Sequence, residues 1–305
     1  MHLTTRHVAT MVAFLASASY LLMLHAQERH VDPTFLHANA NTATEKPSDI
    51  TTATCHYKPL FGDGASKFRG SGLVRYGEAV VEPDGACTEV QYPQEDQIYV
   101  VLDGSGSMRY GSEDVPLKKD DFLYIPPAVE HALTNKSSAA LTVVIMGFST
   151  KGYNATPLPS KPLMSNIEDI PVEHVNGHPE STHYRLLMTD PNDTGDDSLY
   201  GKGTIVAGHA VTNLFVMEID PGGTNFPHHH PREEEIYMLL SGQGEQVAGG
   251  GEDGVEGRYP AKPGDAYFVR ANGTIGFYSA PAVHSRVLCV RWWYPSLKQR
   301  TEQGN

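Results

Sequence analysis

Three side chains in one short stretch have the types and spacing to hold a metal ion. Residues 222–242 read Gly-Gly-Thr-Asn-Phe-Pro-His-His-His-Pro-Arg-Glu-Glu-Glu-Ile-Tyr-Met-Leu-Leu-Ser-Gly, which sets His228, His230 and Glu235 between Gly222 and Gly242. Successive side chains on a strand alternate between faces, so His228 and His230 project into the same space, where two imidazoles chelate one ion. Glu235, carried back on the next strand by the Pro231-Arg232 turn, adds a carboxylate. Two imidazoles and one carboxylate suit a single divalent ion of manganese, iron or zinc, with copper and nickel also compatible. Tyr237 continues that inward face, and Tyr237, Arg270 and Tyr278 are the candidates for general acid or base duty in the pocket. The plain alternatives are a charged surface loop, since His229, Glu233 and Glu234 lie in the same stretch, or an ion that only holds the fold together.

The elements that must position these residues are short strands. Residues 97–102 (Gln-Ile-Tyr-Val-Val-Leu) and 140–145 (Ala-Leu-Thr-Val-Val-Ile) are β-type runs divided by Gly, Pro and Asp turns, which predicts an all-β sandwich or barrel. An internal repeat organises them. Pro83-Asp84-Gly85 lies on Pro221-Gly222-Gly223, and Gln97-Ile98-Tyr99 on Glu235-Ile236-Tyr237, both 138 positions apart. Lys119-Asp120-Asp121 lies on Pro263-Gly264-Asp265 at 144, and a glycine-rich loop at 249–254 can supply the six extra residues. Duplication of one domain accounts for this spacing. The first copy carries Val90, Tyr92 and Gln97 at the ligand positions, so no ordinary metal site survives there.

The Gly, His-x-His, Glu, Gly spacing resembles the first motif of the cupin superfamily. The second motif is recognisable at residues 126–131 (Pro-Pro-Ala-Val-Glu-His) and 269–275 (Val-Arg-Ala-Asn-Gly-Thr-Ile). The resemblance covers roughly residues 72–148 and 203–295 and implies a bicupin, two tandem jelly-roll barrels with one metal in the second. It puts His131 of the first copy and Ile275 of the second at the family's fourth ligand position. His131, alone beside Glu130, reads as a hydrogen-bonded core residue. Ile275 leaves the second site open, or filled from elsewhere by His229, Asn272, His209 or His284. Among cupin chemistries, oxygenation, isomerisation, lyase and hydrolase reactions are all compatible. An oxalate decarboxylase pattern would need two complete sites, and a ureidoglycine aminohydrolase, with its metal in the second barrel, is a closer architectural parallel with a different ligand pattern. Pairing of barrels into a homo-oligomer is also implied.

Bulk properties bound these readings. A chain of 305 residues predicts two cores. The formal charge of −13 argues against a nucleic acid or an anionic membrane as partner, leaving a small molecule. Residues 1–26 read as an export signal: His2, Arg6 and His7 precede an uncharged stretch at 8–24 that ends near Ala26. An uncleaved anchor is the variant of that reading, and either places the protein in the periplasm or outside the cell. Residues 27–70 are expected to form an arm that packs over a barrel without building one, 71–150 the first cupin domain, 151–200 a proline-rich linker, 201–297 the metal-binding cupin domain and 298–305 a polar tail. Cys55, Cys87 and Cys289 permit one bridge or three buried thiols. The sequence thus predicts an exported metal-dependent enzyme acting on a small oxygen-rich molecule, a carboxylate or sugar; the alternative is a non-catalytic periplasmic metal- or sugar-binding protein.

Overall fold

The structure is a computed structural model that describes residues 35–63, 72–153, 159, 161–191, 202–249 and 257–293. The expected export signal and polar tail lie outside the described residues. Two all-β barrels are present, each a large sheet facing a small one. The first pairs a six-stranded sheet, ordered Leu163–Asn166, Asp121–Ile125, Glu95–Asp103, Leu141–Ser149, Leu73–Val81 and Cys55–Gly62, with a three-stranded sheet of Glu113–Lys118, Ser105–Tyr110 and His131–Thr134. The second pairs a seven-stranded sheet, ordered Leu36–Asn39, Asp265–Val269, Glu233–Ser241, Ser285–Trp293, Val211–Ile219, Thr182–Thr189 and Ile205–Val206, with a four-stranded sheet of Thr224–His229, Thr274–Ser279, Gly244–Gly249 and Gly257–Ala261. No helix among the described residues is long and apolar enough to cross a membrane.

The large sheets are buried on both faces, which is why their strands read as continuous apolar runs. Tyr99 and Val101 of the strand Glu95–Asp103 enter the first barrel, and Tyr237 and Leu239 of Glu233–Ser241 enter the second. The alternate residues Ile98, Val100, Ile236 and Met238 meet in a third core between the barrels, with Tyr76, Phe148, Phe268 and Trp292. There the Phe148 and Trp292 rings lie 5.3 Å apart. One buried polar clamp crosses this apolar contact: Asp96 accepts the backbone N–H of His209 at 2.8 Å, lies 2.9 Å from its Nδ1, and takes the Tyr124 hydroxyl at 2.7 Å. A carboxylate with this many donors is well compensated for its burial.

Two expectations need correction. Residues 27–70 do build barrel: Cys55–Gly62 is the outermost strand of the first large sheet, and Leu36–Asn39 pairs antiparallel with Asp265–Val269 of the second barrel. The segment 151–200 is more than a linker: Leu163–Asn166 pairs with Asp121–Ile125 of the first barrel, and Thr182–Thr189 is a strand of the second. These are edge or near-edge strands with Asn, Ser, Thr or Pro in them, formed because a partner strand offers a ladder rather than because their own propensity demands it. The two added strands are related. Asn39 Nδ2 donates to Asp265 Oδ1 at 2.6 Å, and Asn166 Nδ2 donates to Asp121 Oδ1 at 2.7 Å. Cys55 and Cys87 form a disulfide in the first barrel, and Cys289 is a buried free thiol in the second.

Candidate metal centre

The structure brings His228, His230 and Glu235 together: each offers a ligand-type atom, and these atoms lie within 4.8 Å of one another. The strand Thr224–His229 pairs with Thr274–Ser279 and bulges between Asn225 and His228. The two imidazole rings are 5.0 Å apart and perpendicular. His230 Nε2 lies 3.5 Å from Glu235 Oε2, and Glu235 is buried on the inward face of Glu233–Ser241. Nδ1 of His228 is 2.7 Å from the Phe226 carbonyl, so this nitrogen carries the proton and Nε2 keeps its lone pair for an ion. Nδ1 of His230 sits 3.6 Å from Glu233 Oε2. Burial pushes the His228 imidazolium down to about 4, against the Phe226 hydrogen bond and with help from Arg291. Burial and Arg291 also hold His230 well below the usual range. Neutral imidazole is the form that ligates. Two neutral imidazoles and a buried carboxylate within reach of one another are a donor set that fits a divalent ion.

Sequence reasoning missed two neighbours. Arg291 stands opposite Glu235 on the adjacent strand and is 3% exposed. Its Nη1 lies 3.2 and 3.3 Å from the two His230 ring nitrogens and 3.6 Å from Glu233 Oε2. The signal was available: Arg291 is a cation inside an otherwise apolar run at 287–293, and a charge there is retained only with partners. The second neighbour is His178, from the segment read as linker, whose ring lies 6.5 Å from that of His228.

The other nominated residues scatter. Ile275 does pair with His228 and is buried in the barrel core. His229 is exposed on the opposite face of its strand. Asn272 forms a left-handed turn with φ +66° and donates its N–H to the His230 carbonyl. His284 lies 3.5 Å from Asp220, and His209 is held between the barrels by Asp96. Tyr237 lines the barrel behind Glu235, with its hydroxyl accepting from Asn225 Nδ2 at 2.9 Å; burial, first, and the Glu235 charge raise its pKa well above the usual phenol value. Arg270 is half-buried and opens the turn to Gly273. Tyr278 is a correction: Ile275 and Phe277 point inward, so Tyr278 faces out, where the Arg258 guanidinium stacks 4.1 Å above its ring.

In the first barrel the equivalent positions hold a different network. Tyr92 O–H donates to Asp49 Oδ2 at 2.8 Å, and Arg75 donates to Tyr92 and to both Asp49 oxygens at 2.8, 2.9 and 3.1 Å. Gln97 Nε2 donates to Glu95. His131 has Nδ1 at 2.8 Å from the Val129 carbonyl and accepts the Tyr99 hydroxyl at Nε2, 3.1 Å away. Burial pushes His131 down to about 4, as a neutral, hydrogen-bonded core residue requires.

Residues 77–147 and 215–290 each match the Cupin domain family, one match in each barrel. The chain is therefore a bicupin of the cupin superfamily. The uncharacterised protein MJ1618 of Methanocaldococcus jannaschii is 29% identical over 82 residues, which is 27% of this chain and 65% of that one. A putative glyoxylate-induced protein of Pseudomonas aeruginosa superposes with a TM-score of 0.66 at 14% identity, over 88% of this chain and 92% of its own. The oxalate decarboxylase of Lactobacillus farciminis, in a formate complex, superposes with a TM-score of 0.59 at 10% identity, over 85% and 86%. At these identities the structural likeness speaks for the fold alone.

Proposed function

We propose that this bicupin is an exported metalloenzyme that acts on a small carboxylate at His228, His230 and Glu235 of the second barrel. The observation that carries this reading is the set of three ligand-type atoms within 4.8 Å of one another at a buried carboxylate. Arg291 favours a carboxylate over a neutral sugar, because a buried guanidinium beside the site is a fork that matches two carboxylate oxygens. A bound manganese, iron or zinc ion supplies Lewis acidity, or in the case of iron an O₂-binding centre. The chain's own residues then have separate duties. His228 presents a lone pair at Nε2, His230 adds a second neutral imidazole, Glu235 contributes charge, Arg291 orients the substrate carboxylate, and Tyr237 with Asn225 closes the barrel behind the site. Export is supported by the sequence of residues 1–26 and by the Cys55–Cys87 disulfide, a bond that oxidising compartments preserve.

The test is elemental analysis of the purified protein, followed by a turnover screen of dicarboxylates, 2-hydroxy acids and 2-oxo acids with the loaded protein. His228→Ala and Glu235→Ala are expected to lose the ion and any turnover while keeping the far-UV spectrum. Unfolding of both variants would mark the ion as structural. Carboxylate binding without turnover by any metal form would favour a binding protein instead.

A further inference from the structure

We propose that His178 is a fourth protein ligand of the ion at His228, His230 and Glu235, supplied by the segment that straps the barrel mouth. This rests on the metal-site reading above. With metal–nitrogen bonds of about 2.1 Å, two imidazoles on one ion have ring centroids roughly 4.5 to 6.5 Å apart, depending on the angle between the bonds. The His178 and His228 rings are 6.5 Å apart and nearly perpendicular, at 80°, so the separation already stands at the upper end of that range.

Tautomer, anchoring and room all point the same way. His178 Nδ1 lies 3.4 Å from the carbonyl of Asn176, two residues back. His228 uses the same arrangement with Phe226, and in both it leaves Nε2 with the lone pair. The strap is pinned from below. Val175 is buried in the barrel core, Glu173 and Tyr184 exchange backbone hydrogen bonds of 2.8 Å, and the His178 ring packs edge-on to Tyr184 at 5.1 Å. Between the pin and the imidazole sits Gly177, at φ +83° and with nothing within 4 Å of where a Cβ would stand. The backbone beside the ring is therefore uncrowded on that side.

The first barrel supplies an independent argument. Its own strap, ahead of the strand Cys55–Gly62, delivers Asp49 onto Tyr92, and Tyr92 occupies the repeat position of His230. In both barrels the segment preceding the first long strand places a polar side chain on a first-motif position. In the second barrel Ile275 stands opposite His228 and is buried in the core, so it offers no donor, and His178 is a further imidazole in ring contact with His228.

The experiment uses the full chain, stripped with a chelator and reloaded. With Cu²⁺ as the probe, pulsed electron paramagnetic resonance counts coordinated imidazoles: three are expected in the wild type and two in His178→Ala. Competition titration with Zn²⁺ should show affinity 10- to 100-fold weaker in His178→Ala and His178→Gln, about the size of a lost supporting contact at a metal site. Melting of the metal-free forms should be unchanged. An imidazole count and a Zn²⁺ affinity that do not fall in either variant overturn the assignment and leave the three-residue site standing. A wild type that takes up neither metal overturns the site reading and this inference with it.

Discussion

The two barrels carry an arginine on opposite members of the same cross-strand pair. In the first, Arg75 faces Gly147; in the second, Asn213 faces Arg291. The guanidinium of Arg75 lies among the positions that the second barrel gives to ligands. It stacks 4.3 Å from the Tyr92 ring and gathers Asp49, with Glu95 at 3.8 Å. Burial alone would raise the Asp49 carboxyl, and Arg75 more than reverses that, holding it below the usual range. Gly147 makes this possible: a Cβ there would come within 2.6 Å of Gln97 Nε2 and 2.8 Å of Arg75 Cγ. Arg291 enters from the other strand and stands beside the ligand set. A barrel without the ligand set thus fills the position with an internal cation, whereas the barrel that has the set places its cation against His230 and Glu233. Bracing differs in the same way. The Cys55–Cys87 disulfide corresponds in the repeat to Thr182 and Asn225, which hydrogen-bond to the Thr224 carbonyl and the Tyr237 hydroxyl.

That contrast can be broken one element at a time. The largest effect is expected from the bridge. Replacing Cys55 and Cys87 by Ser opens a link across 32 positions, costing about 3 to 4 kcal/mol in denaturant titrations with metal content unaltered. A loss of metal as well would show that the barrels are not functionally separate. Next comes the ion: at a free concentration 100-fold above Kd it should stabilise the protein by about 2.7 kcal/mol, an increment that disappears in Glu235→Ala. If calorimetry shows that increment surviving in the variant, the ion binds elsewhere. Arg75→Leu strips the partner from Asp49 and Glu95 and should cost about 2 kcal/mol, less than a fully buried pair because Asp49 is partly exposed. Unchanged stability would mean that the internal cation is dispensable. The smallest effect is acid sensitivity. The folded protein holds His131 near 4 against an ordinary value of 6.5. The unfolded chain therefore binds the extra proton first, and stability falls as pH drops from 6.5 towards 4. His131→Gln should flatten that part of the unfolding curve, and an equally steep curve would place the sensitivity in other histidines.

Much of this architecture was legible because duplication and alternation leave regular marks. The offset of Gln97 onto Glu235 announced two barrels, and His228 with His230 announced an inward face. What stayed hidden depends on chain segments meeting from afar. Leu36–Asn39 and Leu163–Asn166 are four-residue strands with no pattern of their own. Tyr278 was misassigned because counting from the motif cannot show which face of the small sheet a residue takes, and that sheet is irregular between Asn225 and His228. Arg291 and His178 reach the site from a strand 61 positions and a strap 50 positions away from His230 and His228, distances over which no local periodicity operates.

The exchanged edge strands carry a consequence for how such a chain arises and how it can be cut. Each barrel borrows its outer strand from the segment upstream of the other, Leu36–Asn39 from before the first and Leu163–Asn166 from before the second. Two separate copies trading N-terminal segments would make this arrangement, so the chain has the form of an arm-swapped homodimer whose subunits were joined end to end. Severing it between the barrels takes a paired edge strand from each half. A fragment ending at residue 150 bares the edge of Asp121–Ile125, a fragment starting at 201 bares that of Asp265–Val269, and each loses the apolar sheet face its neighbour covered.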